Sequence, residues 1–234
     1  MLQRLRNLDR RIAIAAAAVT VSALLLIGGL AAVFLGIRGE DAGLPHEGNI
    51  EQLLASNSGA ATPGTPGPPA PAPVRFVIPS LNIDAPVVAL GVTPDGFPDV
   101  PERPDQVAWY PFSAPPGQSN NAVFSGHVDW QTAAGNPIAG VFYRLREMKV
   151  GETMEITLDN GAKLMYRVVG NVATQYDDPK VLQVMDPTDR DVVTIITCGG
   201  TWIRGSGPLG GNYSHRIIVR GDRVQGLADA SLGR

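Results

Sequence analysis

The apolar and polar positions of this chain fall into three regimes. From Ile12 to Ile37 the run IAIAAAAVTVSALLLIGGLAAVFLGI holds 26 residues without a charge. A spanning helix needs about 20 apolar residues, and the run contains no proline. It predicts a transmembrane helix over 12–37. A cleaved signal peptide is the rival, but signal cores are shorter and end at a small-residue site, which this run lacks. Next comes ATPGTPGPPAPAPV, residues 61–74, with six prolines and no charge. Proline removes backbone donors and favours extended polyproline geometry, so 38–74 reads as a semi-rigid linker with His46 solvated within it.

From about Arg75 the period changes to two. Met154, Ile156 and Leu158 alternate with Thr153, Glu155 and Thr157. Beyond Asp159-Asn160-Gly161, Leu164, Tyr166 and Val168 alternate with Lys163, Met165 and Arg167. That predicts a hairpin on an Asn-Gly turn. Short β-branched runs at 76–78, 87–90, 122–124, 192–196 and 217–219 predict further strands. Asn136-Pro137 predicts the start of a short helix carrying Ile138, Phe142 and Leu145 on one face, and Asp178-Pro179 the start of another. Many short strands and few helices predict an all-β barrel or sandwich.

Charge orients the chain and narrows its chemistry. Arg4, Arg6, Arg10 and Arg11 precede the apolar run, while Glu40 and Asp41 follow Arg38 beyond it. The positive-inside rule then places residues 1–11 in the cytoplasm and the β-domain outside the cell membrane. The formal charge is only −3, and no basic run suggests a nucleic-acid groove. There is one cysteine, Cys198, and three histidines, His46, His127 and His215. One cysteine makes neither an internal disulfide nor a Cys-rich zinc site. Asp177, Asp178, Asp186, Asp189 and Asp191 lack EF-hand spacing and read as solvated loop acids. No metal or other cofactor is expected.

His127 follows the run AVFSG, Cys198 follows VVTIIT, and Arg216 precedes IIVRG. A thiolate is a strong nucleophile, a nearby imidazole can protonate a leaving amine, and a guanidinium can stabilise an oxyanion. Together they make a workable acyl-transfer set. Side chains alternate along a strand, so if Arg216 faces the cysteine, His215 faces away, which favours His127 as the acid/base.

Five segments then resemble the sortase family, in order, over residues 75–224. TIITC (194–198) resembles its T-L-x-T-C signature, with Ile at the second position. GHVD (126–129) resembles its histidine motif, and HRIIVRG (215–221) the strand carrying its arginine. IPSLNIDAPVVALGV (78–92) and FYRLREMKVGE (142–152) resemble its opening strands and the segment after the histidine. Cys198-Gly199-Gly200 is most similar to class F, with a class E-like assignment as the alternative. The resemblance implies a closed β-barrel of about eight strands with one or two short helices in 75–224, before a tail at 225–234. It implies a transpeptidase that cleaves an L-P-x-T-G-like C-terminal sorting signal on secreted proteins. A cysteine thioester then passes to an amine, on a cell-wall precursor or a pilin lysine. Cys198 would be the nucleophile, His127 the general acid/base and Arg216 the oxyanion and substrate ligand. Thr197 would hold the substrate backbone. L,D-transpeptidases, another class of cysteine acyl-transferase, place His-Gly before the cysteine, which this chain does not. A non-catalytic surface β-domain would instead bury an inert Cys198.

Overall fold

The structure, a computed structural model, describes residues 43–55, 57, 70–131, 135–205 and 210–224. The apolar run 12–37 expected to span the membrane lies outside the described residues, as does the tail 225–234. Among the described residues no helix is long and apolar enough to cross a membrane.

The alternating segments form the strands they predict. In chain order these are β1 (His46–Glu47), β2 (Pro73–Ile78), β3 (Ile83–Ala89), β4 (Val107–Trp109), β5 (Asn121–Ser125), β6 (Asp129–Gln131) and β7 (Pro137–Ala139). They continue with β8 (Thr153–Leu158), β9 (Lys163–Gln175), β10 (Val192–Arg204) and β11 (Gly211–Arg223). Helices α1 (Ile50–Leu54) and α2 (Lys180–Gln183) are single turns. The sheet order is β9-β11-β10-β5-β4-β3-β2-β8, and β8 pairs back onto β9, closing an eight-stranded barrel. The β8–β9 closure is the hairpin on Asn160-Gly161, with Thr157 opposite Lys163.

Alternation splits the side chains between two cores. Val193 and Ile195 of β10, Ile217 and Val219 of β11, and Phe124 of β5 fill the barrel with Phe76, Phe142 and Tyr166. Ile196, Ile218 and Val123 point the other way, into an outer cluster with Ile50, Leu53, Tyr110 and Val184. Strand residues buried on both faces account for the run VVTII, in which Thr194 is the one polar member and is buried with Asn121 and Arg220 as partners.

Two expectations are corrected. Asn136-Pro137 does not start a helix. Pro137–Ala139 is β7, which pairs with β6 in a small separate sheet, Trp130 opposite Ile138. Phe142 and Leu145 do turn inward, through turns that lead into a 3-10 turn at Leu145–Glu147. Second, the linker read over 38–74 is not featureless. β1 pairs with β9, and α1 carries a capping box in which Asn49 caps Gln52 and Gln52 returns the bond. Ile50 and Leu53 are buried beneath it. His46 itself is exposed, as expected of a solvated histidine.

Arg220 explains why this segment matters. It is 1 % exposed, and burial pushes its guanidinium down to about 10, so it stays charged at neutral pH. It donates to the Leu53 carbonyl, to Asn57 Oδ1 at 3.0 Å, to the Val184 carbonyl at 2.7 Å and to Thr194 Oγ1 at 3.1 Å. Removing residues 43–57 therefore strips partners from a buried cation and uncovers Ile50 and Leu53 contacts. Each such side chain is worth about 1.5–3 kcal/mol, and hydrogen bonds to a buried charge about as much again. A protein beginning at residue 70 should thus melt about 10 °C or more below one beginning at Gly43. Equal melting temperatures would show that the segment contributes nothing.

Candidate active site

Cys198 lies near the far end of the buried half of β10, where exposure begins. The antiparallel register sets it directly opposite Arg216, and sets Gly199 opposite His215. Two positions back, Ile196 and Ile218 form the equivalent pair in the outer cluster. The period of two thus carries Cys198 and Arg216 to one side of the sheet and His215 to the other. His215 is engaged there with the Ser214 hydroxyl, at 2.8 Å from Nδ1.

His127 arrives by a different route. β5 runs parallel to β10 with Ser125 opposite Ile196. His127 and Cys198 each stand two residues beyond that pair, so both emerge at the same end of neighbouring strands. Thr197 ties these ends together. It is 4 % exposed, and its hydroxyl donates to the Gly126 carbonyl at 2.7 Å. Thr197, expected to hold the substrate backbone, is thus anchored through its hydroxyl to the residue before His127. Gly140 lets the chain pass the histidine closely, since a Cβ there would lie 2.3 Å from the His127 carbonyl oxygen.

The His127 ring packs edge-on against Trp130, centroids 4.8 Å apart, and its Nε2 lies 2.7 Å from the Pro101 carbonyl oxygen. A carbonyl can only accept, so Nε2 carries the proton and Nδ1 is the basic nitrogen. Arg216 is held by Asn212 Oδ1 at 2.9 Å and by the carbonyls of His215 and Tyr213 at 3.0 and 3.3 Å. Its guanidinium carbon stands 5.9 Å from the Tyr176 ring centre. These acceptors are neutral, so the cation is positioned without being neutralised.

Burial pushes the Cys198 thiol up, the Arg216 cation draws it back down, and the Asp129 carboxylate adds to the rise. At neutral pH the buried thiol therefore tends to keep its proton, and the acid/base must remove it as attack begins. The thiol opens into a cavity of about 170 Å³ lined by Leu44, Asp129, Phe142, Tyr143, Tyr213 and others. Neither His127 nor Arg216 lines it. Asp129 and Tyr213 had no role in the sequence reading, although Asp129 stands in the GHVD motif two residues after the histidine. Tyr213 carries no motif signal and is brought in only by the β10–β11 pairing.

Of the acids before β10, Asp177, Asp186 and Asp189 are exposed as expected, while Asp178 and Asp191 are partly buried. Asp191 accepts from the Tyr166 hydroxyl at 2.8 Å and sits 3.6 Å from Arg223, and Asp178 accepts from Thr174 at 3.2 Å and the Lys180 amide at 2.9 Å. Among the described residues no cluster suited to a metal ion is found.

Among solved structures, sortase C1 of Streptococcus agalactiae in complex with MTSET is 23% identical, covering 66% of this chain and 70% of that one, with a TM-score of 0.46. Sortase C-1 of Actinomyces oris is 26% identical, covering 65% and 73%, with a TM-score of 0.46. Sortase A of Corynebacterium diphtheriae is 24% identical, covering 67% and 62%, with a TM-score of 0.46. No curated protein matches the chain. The sortase domain family matches residues 76–224, well over half of the sequence. That span runs from within β2 to the end of the barrel and holds Cys198, His127 and Arg216, and the chain belongs to the sortase family of cysteine transpeptidases.

Proposed function

We propose that this sortase cleaves an L-P-x-T-G-like sorting signal and transfers the protein to an amine at the cell surface. The observation that carries the reading is the register pair Cys198–Arg216 on β10 and β11, with His127 at the same end of the parallel neighbour β5. Cys198 attacks the Thr–Gly carbonyl while His127 takes the thiol proton, then returns it to the departing glycine amine. The Arg216 guanidinium, positioned by Asn212 and two carbonyls, stabilises the oxyanion of each tetrahedral intermediate. Thr197, anchored by its hydroxyl to Gly126, holds the substrate backbone beside the nucleophile. An amine of a cell-wall precursor or a pilin lysine then resolves the thioester. The Cys198-Gly199-Gly200 string favours class F within the family. The arginines before the 26-residue apolar run support an N-terminus in the cytoplasm and a barrel outside the membrane.

One experiment tests the reaction and its location. Intact, wall-stripped cells bearing the full chain are given membrane-impermeant x-P-x-T-G-like peptides and an amine, and products are identified by mass. Amide-linked products are expected outside the cells. Turnover by the purified chain but not by cells would overturn the placement, and no turnover by either would overturn the reaction.

A further inference from the structure

The cavity beside Cys198 holds a carboxylate that the first half of this reaction does not use. Asp129, at the start of β6, is half-buried and accepts a hydrogen bond from the Tyr213 hydroxyl. Both line the cavity into which the thiol opens. Much of the remaining lining is apolar, from Leu44, Val128, Phe142 and Ile217. In such surroundings a charge acts strongly on its neighbours. Towards thiolate formation Asp129 acts in the wrong direction, because its negative charge disfavours a second one on the sulfur. The cavity's other charged group, Arg146, is exposed, with its guanidinium 5.7 Å from the Tyr143 ring centre. Of the two charged groups that line this cavity with Cys198, the less exposed one is therefore negative, and it attracts a cation.

We propose that this cavity is the acceptor subsite, in which the Asp129 carboxylate, held by Tyr213, binds the ammonium group of the incoming amine beside the Cys198 thioester. The inference rests on the sortase reading above and deepens it. Primary amines reach the site as ammonium ions at neutral pH, and a carboxylate both binds that form and accepts a proton from it. The nitrogen then attacks the thioester carbonyl. The C–N bond forms and the C–S bond breaks, leaving an amide and the cysteine sulfur. Of the two protons the nitrogen sheds, one passes to the sulfur and the other, through the carboxylate, to solvent. Tyr213 is a positioning residue here, fixing the carboxylate from β11. The cavity's small volume favours a slender unbranched aminoalkyl or glycyl end over a branched amine.

The test measures how one thioester is partitioned between water and amine. The full chain is given a sorting-signal peptide and a fixed concentration of a glycyl or lysyl amine, and the ratio of amide to hydrolysis product is read by mass. That ratio does not depend on how fast the thioester forms. Asp129→Asn keeps an oxygen for the Tyr213 hydroxyl but loses the charge. It should lower the ratio about tenfold and raise the amine KM by a similar factor, as for a lost charge-assisted hydrogen bond. Tyr213→Phe should shift it in the same direction by less. If Asp129 served only to pin β6 to β11, Asp129→Asn would partition like the wild type, and that result overturns the proposal. Failure of the wild type to form any thioester would instead overturn the sortase reaction itself.

Discussion

Cys198→Ala should leave the chain unable to form an acyl-enzyme, with no residual adduct. Cys198 is the chain's one thiol. On incubation with a sorting-signal peptide, the wild type should gain the acyl mass, and hydroxylamine should release it. An adduct on the variant would show that another group is the nucleophile. The pH dependence has a definite sign. Burial raises the thiol, so the fraction present as thiolate is smaller at neutral pH than for a free cysteine. Alkylation by iodoacetamide should therefore keep accelerating above the ordinary thiol range. Replacing Arg216 by Gln removes a cation that lowers the thiol and should move that alkaline limb higher. Asp129→Asn removes an opposing charge and should move it lower. A plateau reached well below the ordinary thiol range would contradict the burial seen at the end of β10.

His127→Ala should reduce thioester formation by about 100-fold to 10,000-fold, the usual range for a general acid/base. Its imidazole, at the same end of β5 as Cys198 is of β10, is the group assigned to protonate the leaving glycine amine. His215→Ala should retain most of the activity, because His215 sits on the opposite face of β11 and bonds Ser214. Arg216→Lys should keep the charge yet lose much of the rate. A lysine lacks the planar fork that Asn212 and the His215 and Tyr213 carbonyls hold from several sides. Single-turnover mass spectrometry with each variant separates these effects. Near-normal turnover by His127→Ala, with loss in His215→Ala, would assign the acid/base to the wrong histidine.

The sequence by itself determined much of this protein, because several signals are local. A strand with one face in a core must alternate, so the β8–β9 hairpin, its Asn-Gly turn and the apolar β10 were legible residue by residue. The period of two also fixed that Arg216 and His215 point to opposite faces. The Asn136-Pro137 segment misled because proline suits the first turn of a helix and an exposed strand alike, and only pairing with β6 decides between them. The folding of 43–57 was hidden for a different reason. Two apolar side chains on a single helical turn carry little pattern, and their partner Arg220 lies more than 160 residues away. Thr197 was identified as a site residue, yet the destination of its hydroxyl depends on which strand lies beside β10. Asp129 and Tyr213 meet only because β11 returns alongside β10 and brings its end to β6. Charges in a cavity interact through space across a low-dielectric gap, and chain position carries no record of that distance.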